Sequence, residues 1–333
     1  MQSRLVSILT PMYNTEKYVH RLLDSVLSQD YPFIEMIVVD DGSTDGSRKV
    51  VEGYAGRFDA KGYTLRCVRQ PHSGQSVAIR NGLALISGEY LVWPDSDDYY
   101  AADNTISRMV EALEESSSEF QMVRTQATLV EDGTWRPVGL LGSDAKEEEG
   151  DLFEDCLFVD HGFFFCSGAY MVRTAVLRQL TGFDIHTSTN AGQNWQLMLP
   201  ILYRYRCLTI LEPLYTVVLR SVSHSREQSG GYDRTAARYE AYLDTQVETL
   251  KRMKDLPAAS VPDYQKRLRE YYDRRLLPLA VRENNRREGL KRLPACRESM
   301  GIFKYFVHNV LLHVKGGTYV INGLTALLHC RKG

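Results

Sequence analysis

Apolar and polar positions follow two periods over the first hundred residues. Residues 5–10, 34–39, 65–68 and 90–93 are short runs rich in Val, Ile and Leu, and they predict buried strands. Between them, residues 16–27, 44–54 and 76–86 carry apolar side chains at helical spacing. In the first of these, Val19, Leu22, Leu23, Val26 and Leu27 share one face. Ser43 or Thr44 is placed to cap the second. Strand and helix in strict alternation predict an α/β fold with a mostly parallel central sheet flanked by helices. Ligands of such sheets bind beyond the carboxyl ends of the strands. The segments at those ends are Pro11-Met12-Tyr13-Asn14, Asp40-Asp41-Gly42-Ser43 and Pro94-Asp95-Ser96-Asp97-Asp98, all polar or turn-forming.

From 121 to 220 the pattern is less regular. Strand-like runs at 122–130, 163–172, 208–211 and 215–219 mix with one helix near 195–205. This reads as the second half of one domain over 1–228, whose first half is about 1–100 and whose second is about 101–228. After about 229 the composition shifts to Arg, Lys, Tyr and Leu at helical spacing. That predicts helices near 236–254, 264–281 and 283–300, and so a basic helical C-terminal extension over 229–333. The last segment, 303–330, is apolar but carries Lys304, His308, His313 and Lys315.

Charge refines this picture. Forty Lys and Arg stand against 42 Asp and Glu, so the chain lacks the basic excess of a nucleic-acid binder. The balance is uneven: from Lys251 onward eighteen basic residues face seven acidic ones. A basic tail with Phe303, Phe306, Val310, Leu311 and Leu312 also suits peripheral contact with an anionic membrane surface. No apolar run reaches the roughly 18 residues needed to cross a bilayer. The first residues enter a strand without a signal peptide, which predicts a cytoplasmic protein, with docking on the inner membrane face as the peripheral option. The six cysteines form no Cys-x-x-Cys pair and read as reduced thiols.

Asp95 and Asp97 are carboxylates one residue apart on a turn that leaves a buried strand. Such a pair suits one hard cation, magnesium or manganese, and a metal there offsets charge on a leaving diphosphate. Asp and Ser also cluster in turns for structural reasons, so the motif gains meaning only from its place after the fourth strand. Asp40 and Asp41 are placed to accept from a base N–H or a ribose hydroxyl, with Gly42 allowing the turn; a capping loop is the structural alternative. No Gly-x-Gly-x-x-Gly or Gly-x-x-x-x-Gly-Lys follows the first strand, which argues against dinucleotide and P-loop chemistry.

Four segments together resemble the GT-A-fold, Rossmann-like glycosyltransferases of family 2. They are Ile8-Leu9-Thr10-Pro11-Met12-Tyr13-Asn14, Ile37-Val38-Val39-Asp40-Asp41-Gly42-Ser43-Thr44-Asp45, Gly74-Gln75-Ser76-Val77-Ala78-Ile79-Arg80-Asn81-Gly82-Leu83 and Asp95-Ser96-Asp97-Asp98. The resemblance covers about the first 225 residues. It implies inverting transfer from a nucleoside diphosphate sugar, most often a UDP-sugar, to a hydroxyl of a glycan or lipid-linked glycan. It places Pro11, Tyr13 and Asn14 along the nucleoside, and Asp40 and Asp41 at uracil or ribose. Arg80 falls near the diphosphate, Asp95 and Ser96 at the donor, and Asp95 and Asp97 at the metal. His224 matches a loop histidine that in some members reaches the metal, with Arg220 or Arg226 as a phosphate clamp; a solvated loop is the bland alternative.

The pattern breaks at the acceptor end. Where the family carries a Glu-Asp pair before an aromatic helix, this chain has Gly192-Gln193-Asn194-Trp195-Gln196, and an amide takes up no proton at neutral pH. Either a nearby group such as Asp160, Asp184 or His186 acts as base, or Asn194 only orients the acceptor, or the chain is a nucleotide-sugar-binding subunit that transfers nothing. Trp195, Leu197, Met198 and Leu199 read better as core than as an acceptor pocket.

Overall fold

β1 (Val6–Met12), β2 (Ile34–Asp40) and β4 (Tyr90–Val92) are buried along their whole length, while β3 (Thr64–Arg69) lies at the sheet edge with alternating exposure. The computed structural model that shows this describes residues 4–146, 151–187, 192–220 and 231–297, with Tyr305, His308, Asn309 and Leu312. Pairing of β3-β2-β1-β4 is parallel throughout, as the alternation predicts. Helices α1 (Val19–Leu27), α2 (Ser47–Gly53), α3 (Ala55–Lys61) and α4 (Gln75–Leu83) connect these strands. The helix expected over 44–54 is α2, starting three residues later, with a further helix, α3, behind it, and neither Ser43 nor Thr44 caps α2. Asp45 Oδ1 instead accepts from Ser47 N at 3.0 Å and from Ser47 Oγ.

Beyond β4 the sheet becomes mixed. β5 (Tyr99–Tyr100), α5 (Thr105–Glu115), β6 (Phe120–Glu131) and β7 (Pro137–Leu141) come first. α6 (Phe153–Phe158), β8 (Tyr170–Arg173), α7 (Thr174–Thr181), α8 (Gln193–Leu202) and β9 (Arg206–Leu219) follow. The order is β3-β2-β1-β4-β8-β6-β9-β5, with β7 on the side of β6. β8 runs antiparallel to both β4 and β6, whereas β9 is parallel to β6. The run at 163–172 is therefore a strand only from Tyr170; a 3-10 turn over Ser167–Ala169 precedes it. α5 carries a clear helical signal, with Ile106, Met109, Val110 and Leu113 buried on one face.

The amino ends of the inner strands are tied by one carboxylate. Glu35 accepts from Ser7 Oγ, Ser87 N and Gly88 N, joining the starts of β1, β2 and β4. A Cβ on Gly88 would lie 2.5 Å from Ser7 Oγ and 2.7 Å from the Leu5 carbonyl, so the turn before β4 has room only for glycine.

The described residues divide into two compact units. The first takes the chain up to about 220 and also Glu248–Pro257, and the second takes 231–247 and the described residues from 258 onward. α9 (Gly231–Arg252) contributes its last turn to the first unit. The expected single boundary at 228 is thus replaced by a chain that returns to the first unit. The second unit contains α10 (Val261–Arg282) and α11 (Arg286–Arg292), with a core of Leu277, Val281, Leu293, Cys296 and Leu312. The helix expected over 283–300 is shorter, because it stops at Arg292 and passes into a 3-10 turn over Pro294–Cys296. Leu312, expected at a membrane interface, is 1 % exposed in this core; Phe303, Phe306, Val310 and Leu311 lie outside the described residues. No helix among the described residues is long and apolar enough to cross a membrane.

Candidate active site

Parallel pairing brings the turns after β1, β2, β3 and β4 to one edge, with Met12 beside Asp40 and Asp40 beside Arg69. Hydrogen bonds brace these turns to one another. Asn14 N donates to Ser43 Oγ (3.1 Å), Thr44 N to Asn14 Oδ1 (2.8 Å), Thr15 N to Ser47 Oγ (2.8 Å) and Thr15 Oγ1 to Ser96 Oγ (3.1 Å). Asn14 has a φ of 51°, a left-handed conformation that Asn tolerates better than most residues.

Asp41 organises the next turn. Its Oδ1 accepts from Gln70 Nε2 (2.7 Å) and Ser73 N (2.8 Å). Its Oδ2 accepts from Gly74 N (2.9 Å) and lies 2.9 Å from His72 Nδ1. Three hydrogen bonds thus hold the carboxylate, while the His72 Nδ1 hydrogen bond goes to the Asp41 backbone carbonyl at 3.1 Å. Gly42, at φ 77°, permits this approach, since a Cβ there would stand 2.8 Å from His72 N. The ring of His72 stacks on the half-exposed Tyr13 ring at 4.1 Å and 23°. Asp40 is fully buried: Oδ1 accepts from Ser43 N at 2.9 Å, and the Arg69 guanidinium lies 3.7 Å from Oδ2, which has no hydrogen-bond partner among the described residues. Pro11 is buried in β1.

The turn after β4 concentrates negative charge. Asp95 Oδ1 accepts from Gln75 Nε2 and Oδ2 from Ser167 Oγ, both at 2.9 Å. Asp97 Oδ2 is 2.7 Å from Arg220 Nη2, and Asp98 Oδ1 accepts from Val218 N at 2.9 Å. Burial, then repulsion from Asp97, pushes the Asp95 carboxyl up to about 6. Burial raises Asp97 as well, and burial with repulsion from Asp97 and Asp95 carries Asp98 well above the ordinary carboxylate range; Arg220 opposes all three shifts. Crowded hard oxygen donors with surplus negative charge fit a divalent cation. Among the described residues, however, no three His, Cys, Asp or Glu side chains gather as a ready metal cage. His224 and Arg226 lie outside the described residues.

Arg80, in the last turn of α4, has an exposed side chain that reaches Thr187 Oγ1 at 3.4 Å. Asn194 opens α8, and its Oδ1 accepts from the indole N–H of the buried Trp93 at 2.8 Å, next to Pro94 and the acidic turn. Indole nitrogen only donates, so the amide oxygen must face Trp93 and the amide nitrogen faces away. Asp184 stands apart from this arrangement, 71 % exposed and 3.5 Å from Arg252 Nε. Gln196 brackets the backbone of His186, donating to its carbonyl and accepting from its N–H. Asp160 accepts from His161 N. Trp195, Leu197, Met198 and Leu199 are core residues, with Trp195 donating to the Cys156 carbonyl.

Several contributors carry no motif. Ser167 comes from the turn before β8. Tyr18 lies under the Arg220 guanidinium at 5.1 Å and donates to Asp132 Oδ2 at 2.7 Å. Gln75 lies inside a segment that the resemblance covers, but neither its spacing nor its type announces a contact to Asp95.

A model of the family described as "Glycosyl transferase family 2" matches residues 7–181, more than half of the chain. The chain belongs to this family. Among curated relatives, the putative teichuronic acid biosynthesis glycosyltransferase TuaG of Bacillus subtilis is 35% identical over 130 residues, 39% of this chain and 50% of TuaG. The poly(ribitol-phosphate) beta-N-acetylglucosaminyltransferase TarS of Staphylococcus aureus is 34% identical over 121 residues, 35% of this chain and 20% of TarS. The chain thus matches half or less of the length of these relatives. Residues 1-349 of S. aureus TarS, solved with UDP-GlcNAc, share the fold at a TM-score of 0.63 and 19% identity, over 88% of this chain and 81% of that one. The mannosyltransferase PcManGT of Pyrobaculum calidifontis, solved with GDP-Man and Mn2+, does so at 0.55 and 16% identity, over 97% of this chain and 79% of that one.

Proposed function

We propose that the chain is an inverting glycosyltransferase that moves a sugar from a nucleoside diphosphate sugar, of the UDP type, to an oxygen of a glycan or lipid-linked glycan acceptor. The observation that carries this reading is the acidic turn Asp95–Asp98, braced to Thr15 after β1, to Gln75 after β3 and to Arg220. The names of the relatives favour a transferase over a subunit that only binds the nucleotide sugar.

In this reading the Tyr13–His72 pair is the platform for the base, and Asp41 fixes it by holding the 70–74 turn. Arg80 and Arg220 supply positive charge for the diphosphate. Asp95 and Asp97 hold the divalent metal, manganese or magnesium, which when bound offsets charge on the departing diphosphate. Asn194 directs its amide nitrogen toward the acceptor and orients it without taking its proton. Asp184 is left out, since its carboxylate is exposed and engaged by Arg252.

A panel of nucleotide sugars with and without manganese tests the proposal, read first as thermal stabilisation and then as release of free nucleotide. One donor is expected to stabilise the protein in a metal-dependent way, and Asp97→Ala to cut nucleotide release by on the order of a hundredfold or more. Unchanged release in D97A would remove the donor-site assignment.

A further inference from the structure

Two contacts tie the end of β9 to the acidic turn. Val218 N donates to Asp98 Oδ1, and two residues later Arg220 Nη2 meets Asp97 Oδ2 at 2.7 Å. The backbone contact is fixed by strand geometry. The side-chain contact is not: Arg220 and Asp97 keep 20% and 16% of their side-chain surface exposed. The guanidinium rests on the Tyr18 ring, and Tyr18 is anchored through its hydroxyl to Asp132, at the turn between β6 and β7. A guanidinium held over an aromatic ring by a cation–π contact can turn its donors without leaving its support.

We infer that Arg220 is an exchangeable counter-ion of Asp97: it holds this carboxylate against metal binding, and it is drawn away when a diphosphate enters, so that metal and nucleotide bind cooperatively. The inference rests on the proposed donor site. A guanidinium and a divalent cation on one carboxylate oxygen repel each other, so metal alone must displace Arg220 from Asp97. A diphosphate offers Arg220 a better-matched, more highly charged partner and frees Asp97 at the same moment. The coupling is reciprocal: the metal must strengthen nucleotide binding by the factor by which nucleotide strengthens metal binding. Tyr18 and Asp132 then act as positioning residues that keep Arg220 within reach of both anions.

The test measures Mn2+ affinity, from the electron paramagnetic resonance of free Mn2+, with and without UDP. It compares the natural chain, the neutral variants Arg220→Met and Arg220→Gln, and the charge-preserving Arg220→Lys. Two neutral variants are used so that a folding failure of one leaves the other. In the natural chain UDP is expected to tighten Mn2+ by roughly tenfold or more. In the neutral variants Mn2+ alone is expected to bind several-fold tighter than in the natural chain, and the gain on adding UDP to shrink. Arg220→Lys is expected to keep the natural pattern. Mn2+ binding to the neutral variants no tighter than to the natural chain would overturn the inference and make Arg220–Asp97 a fixed structural pair. Failure of UDP and of every donor to bind by calorimetry, in any variant and with or without metal, would sink the donor-site proposal itself, a result distinct from the first.

Discussion

Asn194 meets two demands at once. Its oxygen satisfies the indole N–H of Trp93, directly before the acidic turn, and its nitrogen is left to face elsewhere. Replacing it by alanine strands a buried donor, and Asn194→Ala is expected to lower stability by about 1–3 kcal/mol in urea denaturation. Asn194→Asp keeps an acceptor for Trp93 and adds a second carboxylate oxygen in place of the amide nitrogen. That variant is expected to raise nucleotide release to hydroxyl acceptors by on the order of tenfold or more, with a new acidic limb in the pH–rate profile as the carboxylate protonates. An unchanged profile would place the proton acceptor elsewhere. At this scale the sequence discloses the acids but not their partners. Asp95, Asp97, Asp40 and Asp41 stand out because motif and strand end coincide. The anchoring of Asp41 by Gln70, Ser73 and Gly74 does not, because its donors belong to another turn and two of them are backbone groups. Ser167 and Tyr18 are ordinary residues tied to the acidic turn and to Arg220 only by contacts distant in sequence.

At the level of elements, the parallel half of the sheet is legible and the mixed half is only partly so. Short apolar runs separated by amphipathic helices leave little choice of topology. β9 shows why the rest is harder. Its two runs, 208–211 and 215–219, read as separate strands because Glu212-Pro213 interrupts them. In the structure they form one strand whose register against β6 shifts around Pro213, which brings no N–H to the ladder. β7 is largely exposed and β5 has two residues, so neither gives a periodic signal. Gly88 offers a test of how tightly the inner strands are tied. Its added Cβ would meet backbone as well as Ser7 Oγ, so Gly88→Ala is expected to cost about 1–3 kcal/mol through overpacking, measured as a lower denaturation midpoint. Nucleotide affinity of the folded fraction is expected to stay unchanged, because Gly88 sits at the opposite ends of the strands from the acidic turn. A loss of affinity at native stability would show that the two ends are coupled.

Across the whole molecule, composition indicates a globular protein, and the helices of the basic tail are recognisable from their spacing. What the sequence conceals is the order in which the units use the chain. The first unit is built from two stretches, because the last turn of α9 and the residues after it return to it. Arg252 pairs there with Asp184, and Arg204 with Asp255 at 3.2 Å; Met253 lines a small groove with Leu180 and Pro200. No change of composition marks that return, since Glu248–Pro257 looks like the end of an ordinary amphipathic helix. The consequence is practical: a single cut cannot isolate the first unit. A fragment ended at 220 lacks one wall of its own structure and is expected to aggregate or melt early. A synthetic peptide of residues 248–257, added in trans or joined by a short flexible linker, is expected to restore part of the lost melting temperature. Split-protein complementation is thus the natural way to dissect this chain, and indifference of the fragment to the peptide would show that the returning segment is a passenger.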